Sequence, residues 1–154
     1  MQPVLPKNCV VLVTGASGFT GSKLLPKLAS QGVKIKAIAR ANSDISKFSN
    51  LEVEWIRGDV FDPAIIDIAM QDVEYVFHLA AAYRQAGISD TTYTQVHVDS
   101  TKLIAARALK NSNFKRIVHV STVGVHGHIE HPPADESYPF GPGDQYQRTK
   151  AEAE

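Results

Sequence analysis

A tyrosine and a lysine late in the chain have the residue types and the spacing that acid–base chemistry requires. Tyr146 and Lys150 lie four positions apart, so on a helix they share one face. A phenol that exchanges a proton with a hydroxyl or carbonyl oxygen must be ionisable near neutral pH, and a neighbouring ammonium group favours the phenolate. Because chance often produces this spacing, the pair indicates proton transfer only if the surrounding elements place it beside a substrate site.

A glycine-rich segment follows the first apolar run of the chain, at residues 14–21. Gly15 permits a tight turn, Gly18 lets the backbone approach a pyrophosphate, and Gly21 lets the following helix pack close to the strand. The helix N-terminus adds free N–H groups and the positive end of its dipole. A glycine turn without a ligand is the alternative, but a position between a buried strand and a helix favours a dinucleotide. The candidate ligands are Gly15, Ser17, Gly18, Phe19, Thr20 and Gly21.

The end of the second predicted strand bears on the choice of dinucleotide. An acidic residue there would hydrogen-bond the ribose 2′-hydroxyl of NAD, but this sequence has Arg40. A guanidinium suits a 2′-phosphate in charge and in geometry, and Ser43 can add a hydroxyl. The predicted cofactor is therefore NADP. NAD stays possible, because Arg40 could instead stack on adenine or face solvent.

The elements that must position these groups alternate between strands and helices. The hydrophobic patterns predict strands at 10–13, 33–39, 52–56, 73–80 and 116–120, and helices at 22–30, 63–70, 91–110 and from 144 onward. This order predicts an α/β fold, a Rossmann-type doubly wound parallel sheet of about five strands. Ligands of such sheets bind beyond the carboxyl ends of the strands, where the strand order reverses.

Five motifs along this sequence resemble, in type and in order, the motifs of the extended short-chain dehydrogenase/reductase family, the NAD-dependent epimerase/dehydratase type. Residues 38–44 and 78–84 are most similar to its dihydroflavonol-reductase-like and hopanoid-associated epimerase-like members. The five motifs together cover nearly the whole chain, so the set is more specific for this family than any single motif. They are the glycine segment, Gly58-Asp59-Val60, His78-Leu79-Ala80-Ala81, Val120-Ser121-Thr122 followed by Val125-His126-Gly127, and the Tyr146–Lys150 segment.

The resemblance implies a role for each matching residue. Asp59 would receive the adenine amino group, although a helix or turn cap is the alternative. Thr122, or else Ser121, would hydrogen-bond the substrate oxygen beside the catalytic Tyr146. Lys150 would also hold the nicotinamide ribose, and the cofactor would supply the hydride. The further cofactor-binding positions implied are Val60, Leu79, Ala80 and Ala81.

Some histidines need a separate interpretation. His97 stands where many family members have a supporting asparagine, and Ser100 where they have a glycine, so support from position 97 is in doubt. His78, at a strand end, fits a satisfied core histidine as well as a chemical role. The histidines at 126, 128 and 131 lack regular ligand spacing, so no metal site is predicted.

The composition sets limits on the class of protein. The length of 154 residues fits one domain, and 16 basic residues balance 16 acidic ones, which gives no indication of nucleic acid as a partner. No apolar run approaches the roughly 20 residues of a spanning helix, so no membrane partner is expected. The lone Cys9 fits a reduced, cytoplasmic setting.

The expected function is NAD(P)-dependent oxidation–reduction, epimerisation or dehydration at a carbonyl or hydroxyl carbon. The substrate would be a ketone, an alcohol or a nucleotide sugar. A non-catalytic dinucleotide-binding module or sensor is the alternative, and the presence of Tyr146, Lys150 and Thr122 together favours the enzyme. Because the sequence stops at Glu154 within a predicted helix, we expect a Rossmann domain that is incomplete before its substrate lobe and inactive alone. A face of Val96, Leu103 and Ala106 resembles the surface through which relatives form homodimers.

Overall fold

A parallel five-stranded sheet organises the chain, in a computed structural model that describes residues 5–83 and 87–154. The strand order is β3-β2-β1-β4-β5. The predicted Rossmann-type fold is therefore confirmed, and the order reverses between β1 and β4. The strands are β1 (Val10–Thr14), β2 (Lys34–Ala39), β3 (Val53–Arg57), β4 (Tyr75–His78) and β5 (Arg116–His119).

The helices lie on both faces of this sheet. They are α1 (Phe19–Ala29), α2 (Pro63–Ala69), α3 (Asp90–Tyr93), α4 (Ser100–Ala108) and α5 (Gln145–Glu152). A π-helical segment, Thr94–Asp99, joins α3 to α4, and short 3₁₀ turns occur at Ser46–Phe48 and Val123–His126. Asp62 caps α2 by accepting from the Ala64 amide, and Asp144 caps α5 by accepting from the Gln147 amide.

Two apolar layers bury the sheet. Successive residues of β1 point to opposite faces, so Leu12 packs with Ile66 and Ile104 below α2 and α4, whereas Val13 packs with Leu25 below α1. Because β1 is buried on both faces, it reads as a continuous apolar run rather than an alternating one. This central strand carries the glycine segment at its carboxyl end.

Several predicted bounds were wrong, including the start of β4, which lies at Tyr75 rather than residue 73. Helix α1 begins at Phe19 rather than residue 22, because the glycine segment itself forms its first turn. Strand β4 ends at His78 rather than residue 80, because the side-chain hydroxyl of Thr14 binds the next amides. The single helix expected at 91–110 contains the π-helical segment.

The predicted dimer face is partly used within the chain. Val96 and Leu103 are half-buried against the core cluster around Ile104. A homodimer through these residues and Ala106 stays a prediction. No helix in the described parts of the chain is long and apolar enough to cross a bilayer.

Candidate functional site

The glycine segment packs directly against the chain that leaves β4. Gly15 has a φ of +65°, and a Cβ there would lie 2.8 Å from the Leu79 carbonyl carbon and the Ala80 nitrogen. A Cβ on Gly21 would lie 2.5 Å from the carbonyl oxygens of Gly15 and Ala16. Backbone atoms therefore occupy the space that side chains would need, and the loop is fixed at the point where the strand order reverses.

The same loop leaves the start of α1 open to an anion. The first amides of a helix have no intrahelical acceptor, and the N-cap residue Gly18 has no side chain that could accept from them. The Ser22 amide is the first to bond within the turn, to the Gly18 carbonyl at 2.9 Å. Phe19 is 86% exposed, and the Ser17 carbonyl accepts a hydrogen bond from Lys47 Nζ at 3.1 Å. Backbone donors, the dipole and a lysine thus favour phosphate at this edge.

The turn after β2 carries the residues that were predicted to select NADP. Arg40 is exposed and Ser43 is half-buried. The Ser43 amide donates to the Arg40 carbonyl at 3.0 Å, which closes the turn. Arg57, at the end of β3, donates from Nη1 to the carbonyls of Arg40 and Ser43.

Asp59 and Val60 lie in the loop between β3 and α2. Asp59 is exposed and Val60 is 9% exposed, in the core. Because the cap of α2 is Asp62, the carboxylate of Asp59 is not the cap of that helix. Its carbonyl accepts from the Asp62 amide at 3.1 Å.

His78 lies at the centre of a buried hydrogen-bond chain. Ser100 Oγ donates to the Val96 carbonyl at 2.6 Å and so accepts from His78 Nε2 at 3.1 Å. His78 Nδ1 then accepts from the Thr14 hydroxyl at 2.6 Å. Thr14 Oγ1 accepts in turn from the amides of the two residues after His78, at 3.2 and 3.1 Å. Burial, helped by nearby cationic groups, lowers the pKa of His78 to about 3. The ring is therefore neutral, as expected of a core histidine whose hydrogen bonds are satisfied.

His97 makes two contacts that connect the chain after β4 with α5. Its Nε2 accepts from the Ala82 amide at 3.0 Å, so the ring proton lies on Nδ1, 2.8 Å from Thr149 Oγ1. The Thr149 hydroxyl donates to the Gln145 carbonyl at 2.9 Å. The imidazole also lies edge-on to the Tyr146 ring, with centroids 5.3 Å apart. His97 therefore supports the segment that carries the predicted catalytic pair.

The predicted catalytic side chains lie on α5 and on the turn after β5. Lys150 is 2% exposed, and its Nζ donates to the Val120 carbonyl at 2.6 Å. Burial lowers the pKa of Lys150. Tyr146 is half-buried and packs edge-on against both Tyr93 and His97. Thr122 Oγ1 accepts from the Gly124 amide at 3.2 Å, which leaves its own hydroxyl proton for another acceptor.

The fallback residue Ser121 and one of the loop histidines, His126, have other contacts. Ser121 Oγ donates to Glu154, so Thr122 is the better candidate for a substrate oxygen. The His126 ring packs edge-on against Tyr138 and Phe140. Within residues 5–83 and 87–154, no group of three or more potential ligands could hold a metal ion.

Sequence reasoning missed several residues that build this edge. Thr14, Thr149, Lys47 and Arg57 bind backbone or histidine groups there. Thr14 had a usable signal, since a polar residue ends a buried apolar run just before a glycine. The other three give no local signal, because their partners lie at least 14 positions away in the sequence.

Burial of neutral His97 predicts loss of stability in mild acid. Burial, with the Lys150 charge, lowers the pKa of His97 to about 4 from an ordinary value of 6.5. Because the unfolded chain takes up the proton first, stability is full above about pH 6.5 and falls as the pH drops towards 4. We expect the thermal midpoint to fall between pH 7 and 4.5, and to fall less in His97→Asn. An equal fall in both proteins, measured by circular dichroism, would show that His97 does not cause it.

The fold and the glycine loop at its switch point define a Rossmann-type protein, and comparisons with known proteins give the family. The model of the NAD dependent epimerase/dehydratase family matches residues 11–154. The chain is 34% identical to sterol demethylase protein B of Methylococcus capsulatus, over 93% of this chain and 44% of that protein. It is also 34% identical to N-acetyl-alpha-D-glucosaminyl-diphospho-ditrans,octacis-undecaprenol 4-epimerase of Escherichia coli O157:H7, over 96% of this chain and 42% of that protein.

A solved structure agrees with these relatives. A short-chain dehydrogenase/reductase superfamily protein from Agrobacterium tumefaciens with bound NAD is 25% identical, with a TM-score of 0.81 over 94% of this chain and 42% of that one. The chain belongs to the NAD dependent epimerase/dehydratase family, within the extended short-chain dehydrogenase/reductases. It spans less than half the length of these relatives.

Proposed function

We propose that this chain binds NADP at the carboxyl edge of its sheet, and that its protein uses the cofactor for redox chemistry at a carbonyl or hydroxyl carbon. The observation that carries the proposal is the packing of Gly15 and Gly21, where a Cβ would meet backbone at 2.8 and 2.5 Å. Only glycine fits at these two positions. The packing leaves the amides at the start of α1 free to bind a pyrophosphate. The NAD bound by the Agrobacterium tumefaciens relative supports a nicotinamide dinucleotide.

The residues present suit each part of the cofactor. The first amides of α1, within residues 17–21, would hold the pyrophosphate, and Arg40 with Ser43 would hold the 2′-phosphate. Exposed Asp59 and the adjacent Val60 would contact adenine. The segment Leu79–Ala81, held by Thr14 at its first two amides and by His97 at the next residue, Ala82, would line the nicotinamide side. When bound, the nicotinamide would supply or accept the hydride.

Tyr146 would move the proton in the reaction. The edge-on contacts with Tyr93 and His97 restrain its ring. Lys150, anchored on the Val120 carbonyl, would place an ammonium beside the nicotinamide ribose. Thr122 would donate its hydroxyl proton to the substrate oxygen. The substrate would be a ketone, an alcohol or a nucleotide sugar, and the protein would act in the cytoplasm as a homodimer.

Replacing Arg40 tests the choice of cofactor. We expect Arg40→Ala to weaken NADP binding roughly ten- to one-hundredfold, because hydrogen bonds to a charged group contribute about 1.5–3 kcal/mol. NAD binding should change less than about twofold, since NAD has no 2′-phosphate. Isothermal titration of both cofactors into wild type and variant gives the comparison. Equal losses for NADP and NAD would contradict the role of Arg40.

A further inference from the structure

The end of β3 holds a second guanidinium next to the one that was predicted from the sequence. Arg57 is paired with Ala39 in the β2–β3 register, so it lies beside the residue that precedes Arg40. Its Nη1 donates to the Arg40 carbonyl at 3.1 Å and to the Ser43 carbonyl at 2.8 Å. One nitrogen therefore connects both ends of the turn that carries the candidate 2′-phosphate ligands.

These bonds restrict the turn where an anion would bind. The turn has only one backbone hydrogen bond across it, from the Ser43 amide to the Arg40 carbonyl at 3.0 Å. Exposed turns held by a single bond open easily, since few buried contacts oppose the motion. The two bonds from Arg57 therefore lower the entropy that Arg40 and Ser43 would lose on closing around a phosphate.

The charge around this turn also favours an anion. Arg40, Lys47 and Arg57 are all exposed, and none of them forms a salt bridge with another described residue. Lys47 Nζ donates to the Ser17 carbonyl, which lies in the glycine loop. The nearby Asp44 accepts from the Ser46 amide at 2.8 Å. These three cations outnumber the nearby carboxylate of Asp44 and that of Asp59, which follows Arg57 by two positions, so this corner of the sheet has a net positive charge.

We propose that Arg57 is a specificity-determining positioning residue for the 2′-phosphate of NADP. It holds the Arg40–Ser43 turn in the shape that binds the phosphate, and it adds a second guanidinium charge to the subsite. This inference rests on the proposed preference for NADP. It assigns Arg57 no part in proton or hydride transfer.

Adenine nucleotides that differ only in the 2′-phosphate give a test that is independent of turnover. Affinities for 2′,5′-ADP and 5′-AMP would be measured by isothermal titration with the protein that contains this chain. We expect Arg57→Gln to weaken 2′,5′-ADP roughly tenfold and 5′-AMP less than about twofold, in keeping with the weight of charge-assisted hydrogen bonds. Arg116→Gln removes an equal charge from an exposed residue at the start of β5 and should change neither affinity.

A double variant separates positioning from charge alone. If Arg57 acts partly through the turn, Arg57→Gln should weaken 2′,5′-ADP binding less when Arg40→Gln is present than it does in the wild type, because coupled residues are not additive. Equal loss for both nucleotides, or an effect no larger than that of Arg116→Gln, would overturn the proposal for Arg57 alone. A wild-type protein that binds 2′,5′-ADP no better than 5′-AMP would overturn the NADP preference and this inference with it.

Discussion

Gly21→Ala should abolish measurable binding of either dinucleotide. The added Cβ would lie 2.5 Å from two carbonyl oxygens, those of Gly15 and Ala16, and backbone cannot move aside as a flexible side chain can. Relief of such overlap costs roughly 1–3 kcal/mol and shifts α1 away from β1. The amides that we propose for the pyrophosphate lie at this end of α1, so the site loses its shape together with its packing.

The matched control for this variant is another glycine-to-alanine change in the same part of the chain. Gly32 has a φ of +72°, but a Cβ there would meet nothing within 4 Å. Gly32→Ala therefore adds only backbone strain, about 1 kcal/mol, and should leave cofactor affinity unchanged. Thermal midpoints and titrations of both variants separate the two effects. Unaltered cofactor binding by Gly21→Ala would argue against the loop as the phosphate site.

Tyr146→Phe should lower turnover by about 10²- to 10⁴-fold, the usual contribution of a positioned acid–base group. Phenylalanine keeps the ring that packs edge-on against His97 and Tyr93, so folding and NADP affinity should be retained. The assay follows cofactor absorbance with a panel of ketones, alcohols and nucleotide sugars, and uses the protein that contains this chain.

A second tyrosine provides the control for the loss of a phenol. Tyr138 packs against His126, and its hydroxyl accepts from the Glu130 amide at 3.4 Å, at an exposed site. Tyr138→Phe should leave turnover near the wild-type rate. Normal turnover in Tyr146→Phe would contradict the assignment. Tight NADP binding by a wild type that turns over no substrate would favour the non-catalytic binding module.

Much of the fold could be predicted because its signals are local. The apolar run of β1, the glycines that follow and the Asp62-Pro63 start of α2 each determine structure within a few residues. The order of such elements restricts a parallel sheet to few topologies. Boundaries were less predictable: β4 ends early because the hydroxyl of Thr14, 65 positions away, takes the amide of Leu79.

The candidate site likewise contains residues that the local sequence indicated and residues whose roles depend on distant contacts. Tyr146, Lys150 and Arg40 were proposed from residue type, spacing and position at an element's end. The structure places Arg40 directly after β2 and anchors Lys150 to the Val120 carbonyl just after β5, so both lie at the carboxyl ends of strands. The role of His97 could not be derived from its neighbours in the sequence. Its partners Ala82 and Thr149 are 15 and 52 positions away, and they meet it only because the chain after β4 and helix α5 pack against the π-helical segment.

The sequence by itself therefore determined the class of fold, the position of the glycine loop and the candidates for proton transfer. Each of these depends on chain geometry or chemistry that acts over a few residues. Only the tertiary structure decided that His97 supports the segment carrying Tyr146 and that Arg57 holds the Arg40–Ser43 turn. Those roles are hydrogen bonds between distant strands, loops and helices, and folding alone brings their donors and acceptors within about 3 Å.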